Sequence, residues 1–288
     1  LDWLSHLHRC GFSGLLADEM GLGKTVQVLA FFSRLRTNLP ILIVAPTSLL
    51  FNWKCECAKF LPHLSIYIHS GKERLQDPLG LQKLPVVITS YALLRLDEAL
   101  LSQVHFEVIL LDESQAIKNK GTQTAQSASR LKGNFRLCLS GTPIENRKEE
   151  FVSQFHFLLP DLLSEKDSVE HLKRKSRPFF LRRSKGEVDM ELPEKREQVL
   201  WVEMTEPQEE MYTSYQAQLK KGLLRKIEQD GVSTHRLEVL EAILRLRQIC
   251  CDPRLLGESF SGAKVEQLKE DLAEMMAENR KVLIYSQF

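Results

Sequence analysis

The sequence has no apolar run long enough to cross a bilayer. Strand-sized stretches such as 41–45 and 108–111 stop far short of the ~20 residues that a spanning helix needs. It also lacks an excess of one charge. Lysine plus arginine total 39 against 38 acidic residues, so no global field advertises a polyanionic partner, and any nucleic-acid surface must come from local clustering. Cysteine is scarce: six residues, at 10, 55, 57, 138, 250 and 251, with none of the paired two-residue spacings of zinc sites. The eight histidines are scattered. A disulfide framework and a zinc module are thereby excluded, and the thiols are expected to be free and buried in a reducing compartment, cytoplasmic or nuclear.

What is present is a large core. With 288 residues and 43% hydrophobic content, the chain can bury one sizeable core and part of a second, which favours two lobes. Up to about residue 160, short apolar runs alternate with helical patterns, the signature of an α/β fold with a parallel sheet covered on both faces. Strands are expected at 13–17, 41–45, 65–69, 86–89, 107–111 and 135–139, with helices at 24–36 and 48–60 the clearest between them. Beyond Pro160 the pattern turns to charged helices. Thr205 and Gln208 have capping-box spacing ahead of a stripe of Met211, Tyr215, Leu219 and Leu223. Further helices are expected at 235–250 and 264–279, and a strand at 282–285. Because the chain breaks off inside that expected strand, it reads as an excerpt of a longer protein.

The chemistry begins at Asp18-Glu19-Met20-Gly21-Leu22-Gly23-Lys24-Thr25. Gly21 and Gly23 let the backbone adopt positive φ and approach a polyphosphate, so that successive N–H groups point at its oxygens. A helix starting near Lys24 adds its positive end. Lys24 suits the β and γ phosphates, and the Thr25 hydroxyl suits one position on Mg²⁺. The spacing is that of a Walker A loop with one departure: Asp18 stands where the first glycine usually is.

Downstream, the buried-strand pattern 108–111 delivers Asp112 and Glu113 to the sheet edge, a Walker B arrangement. Asp112 is expected to hold the metal, and Glu113 to polarise an attacking water as general base. Ser140-Gly141-Thr142-Pro143 also follows an apolar strand, and its hydroxyls suit a relay between nucleotide and substrate. Residues 171–185 carry seven lysines and arginines and no acidic residue, with Phe179 and Phe180 between them.

Taken in order, several runs resemble the Swi/Snf-type ATPases of helicase superfamily two. They are 18–25, Ala45-Pro46-Thr47-Ser48 with Trp53, Ile88-Thr89-Ser90-Tyr91, Asp112-Glu113-Ser114-Gln115, Ser140 to Asn146, Leu181-Arg182-Arg183-Ser184-Lys185, Leu192-Pro193-Glu194-Lys195, Leu246 to Cys250 and 282–288. The form Glu145-Asn146-Arg147 is similar to bacterial members. The resemblance implies a RecA-like first lobe over 1–160, a helical protrusion and linker over 161–190, and a helical insertion with the start of a second RecA-like lobe over 191–288. It implies ATP and Mg²⁺ as cofactors, and a motor that translocates on double-stranded DNA and remodels DNA-bound proteins. Pro46, Thr47, Ser48, Thr89, Ser90, Arg182 and Arg183 are implied to lie near the DNA, with Ser140, Gly141 and Thr142 coupling hydrolysis to movement. The family's arginine fingers and adenine-contacting glutamine are implied to lie outside this span, so the span alone is expected to be nearly inactive. A strand-separating or RNA helicase, a non-catalytic ATP-gated binding module and a P-loop kinase remain as competing readings.

Overall fold

A computed structural model describes residues 1–141, 148–188, 196–231 and 234–288, with the backbone alone at 223–230. The chain divides into two compact units, Leu1–Pro193 and Glu194–Phe288.

In the first unit, β1 (Gly14–Leu16), β2 (Ile41–Ala45), β3 (Ile66–Ile68), β4 (Val86–Ser90), β5 (His105–Leu111), β6 (Lys132–Leu139) and β7 (Phe180–Leu181) form one sheet. Its order is β3-β4-β2-β5-β6-β1-β7 and every pairing is parallel. The helices are α1 (Asp2–Arg9), α2 (Lys24–Phe32), α3 (Leu50–Phe60), α4 (Pro78–Gln82), α5 (Tyr91–Leu96), α6 (Glu98–Leu101), α7 (Gln123–Arg130), α8 (Lys148–Leu158), α9 (Val169–Ser176) and α10 (Lys185–Val188).

A parallel sheet must be covered on both faces, and successive strand residues here feed two separate cores. From β2, Leu42 and Val44 join Leu94, Leu101, Ala128 and Phe155 on one side. Ile41, Ile43 and Ala45 join Val28, Leu29, Phe31, Trp53 and Cys57 on the other. Because all strands run the same way, β1, β2, β4, β5 and β6 deliver the residues that follow them to one edge. Glu107 on β5 accepts from Thr37 and Asn134 and pairs with His8 at 2.7 Å.

The six strands expected in this unit all form. The seventh was not foreseen: Phe180–Leu181 lies in the stretch assigned to a linker, yet it pairs with Leu15 and Leu16 as the sheet's edge. Two residues are too few to display a period of two.

The second unit contains α11 (Glu206–Asp230), α12 (Arg236–Cys251) and α13 (Ala263–Ala277). Met211, Tyr215 and Leu219 are half-buried as the stripe predicts, and the side chain of Leu223 lies outside the described residues. The capping box does not form. Gln208 is buried and instead donates to the Ile249 carbonyl at 2.7 Å while accepting from the Ala263 N–H at 3.0 Å, so it ties the ends of α12 and α13 to α11. The expected strand at 282–285 is also absent. No other strand lies among the described residues of this unit, and a strand without a neighbour leaves its N–H and C=O groups unpaired. Among the described residues, no helix is long and apolar enough to cross a membrane. All six cysteines are free, but only Cys57 and Cys138 are buried, and Cys10 and Cys55 are exposed.

Candidate functional site

The glycine turn after β1 has the conformation that its sequence predicts. Gly21 (φ 94°) and Gly23 (φ 70°) are both left-handed, and Gly23 immediately precedes α2, whose first residue is Lys24. The Lys24 ammonium folds back over the loop and donates to the Asp18 carbonyl at 2.6 Å and more weakly to that of Glu19 at 3.4 Å. Gly141, just past β6, is held against the same loop. A Cβ there would lie 2.8 Å from Met20 Cγ and 3.6 Å from Lys24 Nζ, so a larger residue would have to displace the exposed Met20 side chain. Burial pushes the Lys24 pKa below the ordinary lysine range, and Glu113, Asp18 and Asp112 oppose the shift with their charges. Thr25 occupies the second position of α2 and is half-buried.

Asp18, the residue in place of the usual glycine, lies beneath this loop with its side chain out of solvent. Arg183 holds it in a fork, with Nε donating to Oδ1 at 3.1 Å and Nη2 to Oδ2 at 2.5 Å. The Arg183 N–H donates to Oδ1 as well, and Gln27 on α2 bonds to both the carboxylate and the guanidinium. Backbone bonds extend β7 along the loop, from Ala17 N–H to Leu181 O at 2.7 Å and from Glu19 N–H to Arg183 O at 3.0 Å. Arg183, expected at a DNA face, is therefore committed inward. Arg182 beside it is exposed.

Asp112 and Glu113 follow β5 at the same edge. Asp112 Oδ1 accepts from the Glu113 N–H at 2.9 Å, and Oδ2 accepts from Trp53 Nε1–H at 2.7 Å. Burial raises the Asp112 pKa; the Trp53 bond pulls against it and the Glu113 charge adds to it. Glu113 is left-handed (φ 49°), which for a residue with a Cβ carries roughly 1–2 kcal/mol of strain. Its Oε2 accepts from Gln115 Nε2 at 2.6 Å. Among the described residues no group of three His, Cys, Asp or Glu side chains could hold a metal. The oxygen donors of Thr25 and Asp112 fit a hard divalent cation that keeps most of its water.

The remaining expected residues divide. Thr47 and Ser48 are exposed and Pro46 is half-exposed in the turn after β2. Thr89 and Ser90 are buried instead, because the Thr89 hydroxyl donates to the His69 carbonyl and Ser90 caps α5. Ser140 is buried, and its N–H donates to Leu16 O at 3.1 Å. Thr142 and Pro143 to Asn146 lie outside the described residues, as do Leu192 to Lys195. Sequence reasoning missed Gln27, and it named Tyr91 and Gln115 only as members of motif runs, with no role of their own. Their roles are identified by the atoms they reach.

Comparison with known proteins places these features in a family. A model described as the SNF2-related domain matches residues 1–255. An uncharacterized ATP-dependent helicase of Mycoplasma genitalium is 37% identical over 309 residues, covering all of this chain and 29% of that protein. The ISWI chromatin-remodeling complex ATPase ISW1 of Saccharomyces cerevisiae is 31% identical over 326 residues, again with all of this chain and 29% of the relative covered. The chain thus spans under a third of the length of these relatives. Among solved structures, the Sulfolobus solfataricus SWI2/SNF2 ATPase core in complex with dsDNA matches with a TM-score of 0.61 at 32% identity, covering 100% of this chain and 65% of that one. With the family model matched over most of its length, on an α/β scaffold that carries the phosphate loop and paired carboxylates at one sheet edge, the chain belongs to the SNF2-related domain family.

Proposed function

We propose that the protein is an ATP-hydrolysing motor that moves along double-stranded DNA and remodels DNA-bound proteins, with the Leu1–Pro193 unit as its nucleotide-holding lobe. One observation carries this reading: the Gly21–Lys24 loop and the Asp112–Glu113 pair meet at one edge of one parallel sheet, close enough for Lys24 to feel both carboxylates. The relatives, an ATP-dependent helicase and a chromatin-remodeling ATPase, point the same way, as does the archaeal ATPase core solved in complex with duplex DNA.

In this reading, the N–H groups of residues 21–24 cradle the phosphates and the Lys24 ammonium leaves the Asp18 and Glu19 carbonyls for phosphate oxygens. Thr25 and Asp112 would hold Mg²⁺, which would supply charge neutralisation at the transferred phosphoryl group. Glu113, held by Gln115, orients and polarises the attacking water. Pro46, Thr47, Ser48 and Arg182 form the exposed part of the DNA face, suited to backbone rather than base contacts. Ser140, Gly141 and Thr142 are proposed to couple the phosphate loop to that face, a role supported by the close approach of Gly141 to Met20 and Lys24. The 1–160, 161–190 and 191–288 division and a cytoplasmic, nucleoid-associated location belong to the same proposal.

The test is ATP hydrolysis by the full-length protein with no nucleic acid, duplex DNA, single-stranded DNA or RNA, with Lys24→Ala as background. Duplex DNA is expected to stimulate most, and Glu113→Gln to keep nucleotide binding while losing about 10²–10⁴-fold in hydrolysis. Preference for single strands or RNA would overturn the duplex assignment, and normal hydrolysis by Glu113→Gln would overturn the base.

A further inference from the structure

Two side chains without a part in the chemistry above, buried Trp53 and half-buried Tyr91, converge on Asp112. Trp53, 1% exposed on α3, donates its indole N–H to Oδ2 at 2.7 Å. Tyr91, the first residue of α5, donates its hydroxyl to the Asp112 carbonyl at 2.7 Å. With the Glu113 N–H on Oδ1, each carboxylate oxygen has one fixed donor and keeps a lone pair, while the backbone is held from a third direction.

The position of these donors in the chain is equally informative. Trp53 lies one turn into the helix fed by the exposed 46–48 segment, and Tyr91 directly follows Ser90, the cap of α5. β2, which precedes 46–48, and β4, whose last two residues are 89–90, are adjacent in the sheet, and β2 also pairs with β5, which ends just before Asp112. Each strand-end segment thus leads into a helix that carries a donor to Asp112.

We propose that Trp53 and Tyr91 are positioning residues that hold Asp112 in its metal-binding orientation and link that orientation to the strand-end segments at 46–48 and 89–90. The inference rests on the reading of Asp112 as the metal carboxylate. It differs from ordinary satisfaction of a buried indole, which also needs an acceptor. A purely structural bond affects thermal stability, whereas a positioning bond sets how much Mg²⁺ the site needs.

The experiment follows binding of a fluorescent ADP analogue to the full-length protein as Mg²⁺ is raised. Trp53→Phe keeps a ring in the slot and deletes the donor. Its half-saturating Mg²⁺ concentration is expected to rise by about tenfold or more, the usual effect of losing an outer partner of a metal ligand. Tyr91→Phe is expected to shift the midpoint in the same direction, and because it removes one oxygen it carries the test if Trp53→Phe fails to fold. In the Asp112→Asn background, Trp53→Phe should add nothing. Duplex DNA should move the wild-type midpoint and leave that of Trp53→Phe in place. Midpoints in both variants that superimpose on the wild type overturn the positioning role, and an equal DNA-induced shift in wild type and variant overturns the link. A wild type whose nucleotide binding ignores Mg²⁺ would instead sink the metal assignment of Asp112.

Discussion

Replacing Arg183 by alanine tests whether the base of the phosphate loop is an ion pair or merely a crowded turn. The change removes the fork on Asp18 and the bond to Gln27, and it leaves a fully buried carboxylate with the residue 183 N–H and the Gln27 amide. Removing one partner of a wholly buried pair destabilises by about 3–5 kcal/mol. Arg183 is not wholly buried, since its side chain keeps 38% of its surface in water, so solvent already screens the pair and can reach the space left behind. The two remaining donors reduce the loss further. Roughly 2 kcal/mol is the resulting expectation, and at about 2–4 °C per kcal/mol for a unit of this size the melting temperature should fall by about 4–8 °C.

The assay is thermal unfolding followed by circular dichroism, paired with ADP binding. Arg183→Lys keeps the charge but not the planar fork and should fall between alanine and wild type. Asp18→Asn placed in the Arg183→Ala background removes the stranded charge and should recover part of the loss, which a double-mutant cycle isolates. The reasoning is refuted if Arg183→Ala melts within about 1 °C of wild type, or if the double variant is no more stable than the single one.

Two other perturbations follow from buried groups elsewhere in the first unit. The Arg74 guanidinium, with His69 assisting, holds the Asp97 carboxyl below the ordinary carboxylate range against the opposing effect of burial. A carboxylate with a depressed native pKa stabilises the fold above its unfolded value, about 3.9, and loses that contribution as pH falls through the native value. Arg74→Met should thus be less stable than wild type in urea at neutral pH, with the gap closing below that range; a gap independent of pH would contradict the pairing. Among the thiols, burial pushes Cys57 up to about 11 and Cys138 higher still, whereas Cys10 and Cys55 are exposed. Alkylation of native protein at mildly alkaline pH should label Cys10 and Cys55 first, with Cys57 and Cys138 reacting only on unfolding, as peptide mapping would report.

The parts of this protein legible in its sequence are those whose causes are local. Continuous apolar runs such as 41–45 announce strands buried on both faces, and the glycines, Lys24 and the Asp112–Glu113 pair announce their chemistry through neighbours a few residues away. The illegible parts depend on long closures. Trp53 reaches Asp112 across 59 positions, and Arg183 reaches Asp18 across 165. Asp18 looks like a defect in the loop pattern only until that partner is in place. The pairing of Arg183 with Asp18 was hidden for the same reason, because a run of basic residues carries no sign of which member turns inward.

The two adjacent arginines are separable by experiment. Arg183 faces the loop and Arg182, just past β7, is exposed. If Arg182 meets a DNA phosphate, Arg182→Ala should weaken duplex binding uniformly across sequences and lower the slope of log affinity against log salt by about 1. Being exposed, it should leave the melting temperature unchanged, the reverse of the pattern expected for Arg183→Ala. Fluorescence anisotropy on two unrelated duplexes over a salt series, with melts of both variants, provides the comparison. A salt slope identical to wild type in Arg182→Ala would remove Arg182 from the DNA face and leave the turn at 46–48 as its remaining candidate in the first unit.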